Sequence, residues 1–155
     1  MKSIVFFVFS AFAFCTLSQT KIFVGQEKFL STMIYQIENN IVYRYSNPAS
    51  KLDILYIDGE KVYFKDRKFS SDVKYTILNN CFYKGNSTTF FDKLFTFKND
   101  KVYIGDSNFQ TDCLYTLNNG FVYKGDSTSS FDIIMSYEVQ SSSELIYVAM
   151  MLLPY

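Results

Sequence analysis

Apolar and polar positions alternate in short runs that recur about every 20 residues along this chain. Aligning Lys21, Ile41, Lys61, Cys81, Lys101 and Phe121 stacks six copies as far as Gln140. The second column is Ile22, Val42, Val62, Phe82, Val102 and Val122; the third is Phe23, Tyr43, Tyr63, Tyr83, Tyr103 and Tyr123. Period 2 puts Val102 and Ile104 on one face of a strand and Tyr103 on the other. Gly25, Gly85, Gly105 and Gly125 then end the strand, and Asp66, Asn86, Asp106 and Asp126 follow in the next column. Glycine relieves backbone strain there, and Asp or Asn bonds its own backbone, so each strand runs into a turn. A polar stretch leads to an acid, Asp72, Asp92, Asp112 or Asp132, with Asp53 one residue late in the second copy and Thr32 in the first. A second strand follows, as in Cys113-Leu114-Tyr115-Thr116-Leu117. Asn39-Asn40, Asp58-Gly59, Asn79-Asn80, Asn99-Asp100 and Asn118-Asn119-Gly120 close the units as tight turns.

Each unit is therefore strand, loop, strand, tight turn, and six units predict about twelve strands in a mainly β domain over residues 19–140. Near-constant spacing with matching columns favours a β-solenoid, in which like columns stack. A closely related wound sheet fits the same spacing, and an antiparallel meander or closed barrel is the alternative. Both strand faces carry apolar residues, which argues against a one-sided sheet. Beyond Gln140, Ser141 and Glu144 form a capping-box pattern before the apolar run Leu145 to Leu153, and Pro154 stops it. Residues 141–155 read as a short helix capping the array, with a last edge strand as the alternative. A bare terminal rung would pair with another molecule, so the cap also bears on self-association.

Residues 1–18 read as a signal peptide: Lys2 is the basic start, Ile4 to Phe14 the apolar run, and Thr16 and Ser18 the small residues before a cut at Gln19. The run is too short to span a membrane, and the mature chain is expected to be secreted, periplasmic or held at a cell surface, without a transmembrane span. The chain has 15 basic and 15 acidic residues, and losing Lys2 leaves one acid in excess. That balance excludes a nucleic-acid footprint or a polybasic membrane patch. Cys81 and Cys113 fall near opposite strand ends, too far apart for a disulfide, and are expected as buried free thiols. Thirteen Tyr and 17 Phe suit pleated, half-buried surfaces.

The block Val102-Tyr103-Ile104-Gly105-Asp106-Ser107, followed by Asp112 and an aromatic-bearing strand, resembles the units of secreted bacterial tandem-repeat β proteins. Across residues 41–140, Val62-Tyr63, Ser71-Asp72 and Lys74-Tyr75 make the chain similar to the septoil-knot domain family, although the shorter strand spacing and the Ala before Asp are missing. That likeness implies a knotted topology. The choline-binding repeat has the same length, but it builds its cages from Trp, and this chain has none.

No histidine is present, which removes Ser-His, Cys-His and His-metal chemistry. No glycine-rich phosphate loop appears, and no cofactor is implied. Asp72, Asp92, Asp112 and Asp132 form the candidate metal site: a stacked carboxylate row would suit Ca²⁺, while the competing reading has each acid accept N–H bonds in its own turn. Tyr43, Tyr63, Tyr83, Tyr103 and Tyr123 form the candidate binding platform for a sugar or peptide, against the reading that their rings fill the core. Asn86-Ser87-Thr88 is a sequon that turn chemistry also explains. The expectation is an exported, non-enzymatic β-repeat protein that binds a protein or glycan at a cell surface or acts as a scaffold. The alternatives are a subunit of a larger surface assembly and a secreted hydrolase using the repeat acids.

Overall fold

Two-residue asparagine turns force the chain to double back. Asn39 and Asn40, Asn79 and Asn80, and Asn99 and Asp100 all have φ between +51° and +64°, the left-handed pair that matches the twist of a tight hairpin. Each turn joins neighbouring antiparallel strands. In the computed structural model, which describes residues 19–64 and 68–153, the strands are β1 (Gln19–Val24), β2 (Met33–Glu38), β3 (Ile41–Asn47), β4 (Ser50–Asp58), β5 (Lys61–Phe64), β6 (Val73–Leu78), β7 (Cys81–Lys84), β8 (Lys93–Lys98), β9 (Lys101–Ile104), β10 (Cys113–Asn118), β11 (Phe121–Lys124) and β12 (Ile133–Glu138). Each pairs with its neighbours in sequence, and β1 pairs with β12, so the sheet closes into an antiparallel barrel. The proposed signal peptide, Asp66 and Pro154 lie outside the described residues.

This corrects the solenoid. Twenty-residue spacing arises equally when each unit contributes a hairpin, and the tight turns permit only antiparallel neighbours. The sequential strand order has no crossover, so the knotted topology is not the one adopted. Five hairpins are local, such as β6–β7; the sixth joins the chain's two ends, with Ile22 opposite Tyr137 and Lys21 opposite Glu138.

Every unit also carries a β-bulge at its third column. The partners of Phe23, Tyr43, Tyr63, Tyr83, Tyr103 and Tyr123 shift register, skipping Ile34, Ile54, Lys74, Leu94, Leu114 and Ile134, and the second unit shifts again between Tyr45 and Asn47. Bulges increase the local twist and bend a sheet toward closure. The second unit departs from the rest: β3 and β4 continue as an extended hairpin past Tyr45, and Asp53 pairs within the wall opposite Tyr43 instead of sitting in a loop turn. That explains why its acid falls a residue late.

The interior is built from the second column. Ile22, Val42, Val62, Phe82, Val102 and Val122 are fully or almost fully buried. Opposite them stand Ile37, Ile57, Ile77, Phe97 and Leu117 on the tight-turn side. An eight-stranded barrel is just filled by its own side chains, so twelve strands enclose space that needs another occupant. Helix α1 (Leu145–Met151) supplies it: Leu145, Val148, Ala149, Met150 and Met151 are buried in the same apolar cluster. The helix lies at the tight-turn end, where Tyr147 neighbours Ile37 and Asn40, and Leu145 neighbours Asn119 and Tyr137. The C-terminal segment is thus a helix, not an edge strand, and it plugs a barrel where a solenoid's end was expected.

The capping box does not form. Ser141 makes no side-chain cap. The Glu144 carboxylate instead accepts the Thr20 hydroxyl at 2.8 Å and the Gln140 N–H at 3.2 Å, tying the plug to β1. Cys81 and Cys113 are buried free thiols, and burial pushes the Cys113 thiol up.

Because Ile22 sits on the strand that closes the ring, Ile22→Ala is predicted to cost about 2–5 kcal/mol. Phe91→Ser, on an exposed connection, should stay within about 0.5 kcal/mol. Urea unfolding of the two variants checks this; equal losses would remove β1 from its closing role.

Candidate functional site

The tyrosine column faces outward from the wall yet is not exposed. Tyr63, Tyr83, Tyr103 and Tyr123 keep 7–8% of their surface, and Tyr43 is half-buried. The long connections fold back over them. The Gly85 N–H donates to the Lys74 carbonyl at 2.9 Å, and the Thr76 hydroxyl, opposite Tyr83, donates to the Gly85 carbonyl at 2.8 Å. Thr96 and Gly105, and Thr116 and Gly125, repeat the bond at 2.6 and 2.8 Å. Ion pairs press the connections down: Lys93 meets Asp106 at 2.5 Å, and Lys101 pairs with Asp126. Buried rings do not offer a stacking platform.

The acid column is held within its own loops. Ser87, Ser107 and Ser127 donate to Asp92, Asp112 and Asp132, each at 2.5 Å. The backbone N–H groups of Thr89, Phe109 and Ser129 in turn donate to the three serine hydroxyls at 3.1–3.2 Å. Asp72 bonds Ser71. Among the described residues no three His, Cys, Asp or Glu side chains gather where they could hold a metal ion. The Ser87 and then the Thr89 hydroxyls hold the Asp92 carboxyl below its ordinary value. The sequon's Ser87 is likewise taken up in this turn.

The open end of the barrel lies opposite the plug, where all the long connections emerge. Among the described residues, all eleven exposed large hydrophobic residues belong to this half. Val24, Phe64 and Ile104 stand at the mouth. Phe29, Leu30, Leu52, Phe69, Phe90, Phe91, Phe109 and Phe131 stand on or beside the connections, with Phe91 and Phe131 95% and 96% exposed. The mouth narrows onto a ring of Tyr35, Leu55, Tyr75, Phe95, Tyr115 and Met135, which pair across from the second column and share its inward face.

Above that ring lies the fourth column: Val24, Arg44, Phe64, Lys84, Ile104, Lys124, each opposite one ring residue. Apolar and cationic residues alternate around it. Lys74, on a bulge, adds a cation, its Nζ 5.0 Å from the Phe64 ring centre and 5.2 Å from that of Tyr75. Burial pulls the Lys74 amine below its ordinary value. Sequence reasoning missed this face, although the alternating fourth column was there to be read.

Two predictions follow from these charges. Asp92's lowered value makes its stabilising contribution complete above the unfolded carboxyl value near 3.8, and lost as pH falls through the folded one. Asp92→Asn should therefore flatten the acid limb of stability, read from urea midpoints between neutral and strongly acidic pH; an unchanged limb would refute the turn's role. Lys74 titrates the other way. Its folded amine binds a proton less tightly than the unfolded one, so stability rises with pH through the window below 10.5. Lys74→Met should raise the melting temperature at neutral pH; a fall would mean the ammonium stabilises the mouth.

The family model described as 6-fold beta flower protein matches residues 10–119 and, in a second overlapping alignment, 46–147. Two registers are natural for repeated units. No curated protein and no solved structure matches the chain.

Proposed function

The chain belongs to the 6-fold beta flower family, and we propose that it is an exported, non-enzymatic binding protein whose working face is the open, loop-bearing end of the barrel. One observation carries the reading: every exposed large hydrophobic residue among the described residues lies on that half. Single exposed apolar residues are ordinary, but their concentration on one face marks an interaction site. The opposite end is stopped by α1 and has its apolar residues buried. The absence of histidine from the sequence and the engagement of Asp92, Asp112 and Asp132 with loop serines support binding over catalysis.

The expected outcome is that folded protein takes up a neutral apolar dye such as Nile red. Phe64→Ser combined with Ile104→Ser weakens uptake, while Lys98→Ser at the tight-turn end leaves it unchanged. A native protein that takes up no dye, or uptake indifferent to the mouth variants, would sink the reading. A hydrolytic activity lost in Asp112→Asn without unfolding would overturn the non-enzymatic part.

A further inference from the structure

The alternation at the mouth asks for more than an apolar partner. Arg44, Lys84 and Lys124 occupy the same inward-facing column as Phe64 and Ile104. Covering them with a purely apolar surface would leave three charges without water or a partner, which is costly. A merely solvated end would have no use for exposed Phe64 and Ile104. Among the described residues, Arg44, Lys84 and Lys124 make no salt bridge.

The two chemistries meet in a recess made of two adjoining hollows between β2 and β8, with Phe64 and Lys74 as their common wall. One half, of about 410 Å³, is bounded by Tyr35, Leu55 and Phe64 with Arg44 and Lys74. The adjoining half, of about 480 Å³, shares Phe64 and Lys74 and adds Tyr75, Leu94 and Lys84. Both volumes suit a small-molecule site, which is usually apolar with a few placed polar groups. The acid on this lining is Asp53, and its carboxylate already accepts the Tyr56 hydroxyl at 2.8 Å. The nearby Asp92 is held by Ser87 and Thr89. Asp92 also interacts electrostatically with Lys84, but the lining itself carries three cations, Arg44, Lys74 and Lys84, against the one carboxylate of Asp53, so its net charge is positive.

We propose that this recess binds an amphiphilic anion, a molecule with one acidic head group and an apolar body of the fatty-acid kind. The head pairs with Arg44, Lys74 or Lys84, the guanidinium fork of Arg44 being suited to a carboxylate. The body lies along Phe64, Leu55 and Tyr35, where burying each methylene is favourable. The proposal rests on the open end being the binding face, and it adds the sign and shape of the ligand.

Calorimetric titration of the full-length protein at neutral pH, with monomeric amphiphiles sharing one dodecyl-type tail, tests it. Dodecanoate should saturate a site. A maltoside-headed analogue should bind roughly tenfold or more weakly, and a trimethylammonium-headed one more weakly still. Arg44→Gln combined with Lys84→Gln, which leaves Lys74 as the one cation of the lining, should cut the preference for dodecanoate severalfold while keeping the maltoside affinity and the melting temperature. Equal affinity for all three heads, or an unchanged preference in the double variant, overturns the proposal and leaves the apolar binding face standing. Failure of all three to bind the folded protein overturns both. Capture of phosphatidylglycerol vesicles without uptake of monomeric dodecanoate also overturns it, because the acid would then be met on a membrane surface and not in the recess.

Discussion

Filling the lumen of a twelve-stranded barrel is the constraint on which the rest of this structure depends. Six hairpins closed in a ring bring every second-column residue to the inside, from Ile22 to Val122. A ring of that size has more interior than one layer of valines occupies. The chain meets the shortage from one end only, inserting an apolar helix whose Val148 and Ala149 are completely buried. Filling from one side makes the two ends unequal. The tight-turn end becomes core, and the loop end keeps a shallow mouth floored by Tyr35, Tyr75, Phe95 and Tyr115. Exposed apolar side chains concentrate at the mouth because that is where the packing stops.

Closure imposes a second condition, that the ends of the chain meet. The sixth hairpin is assembled from β1 and β12, and Glu144 binds Thr20 beside it. The strand that closes the wall thus also anchors the plug. Closure also removes exposed sheet edges, the ordinary route by which a β array pairs with copies of itself. A capped solenoid was expected to solve the same problem with one short helix over its open end. The barrel solves it by circularity, which frees its helix to serve as core.

Local chemistry was legible in the sequence; the path of the sheet was not. The Asn-Asn turns, the Gly-Asp loops and the number of strands follow from residues that act within a few positions of themselves. The choice between stacked coils and a ring depends on what strand β6 meets beyond β7, and a periodic column looks the same in both. The misplaced emphasis on the tyrosines has a similar origin. Tyr83 does face away from the lumen, as period 2 requires, but the loop beginning at Gly85 folds over it, and that return is a tertiary event. The aspartates illustrate the converse: Ser87 and Asp92 are five residues apart, and their bond is the local turn chemistry weighed for them from the start.

Repetition explains why the candidate site lies where the columns disagree. A position that stays apolar in all six units, like the second column, answers a need every unit shares, namely closing and filling the ring. The fourth column answers no such need, since its side chains stand above the filled interior. Yet its residues alternate between Val, Phe or Ile and Arg or Lys in strict succession around the mouth. Neighbouring cations are thereby kept apart by an apolar residue, which limits their mutual repulsion while leaving each beside a surface that an apolar body can cover. Lys74 breaks even this rule, replacing the aliphatic bulge residue found at Ile34, Ile54, Leu94, Leu114 and Ile134. A charge placed there loses solvation that its neighbours' positions do not demand. The repeat therefore supplies the scaffold, and the departures from it around Phe64 give one sector of an otherwise sixfold mouth its own chemistry.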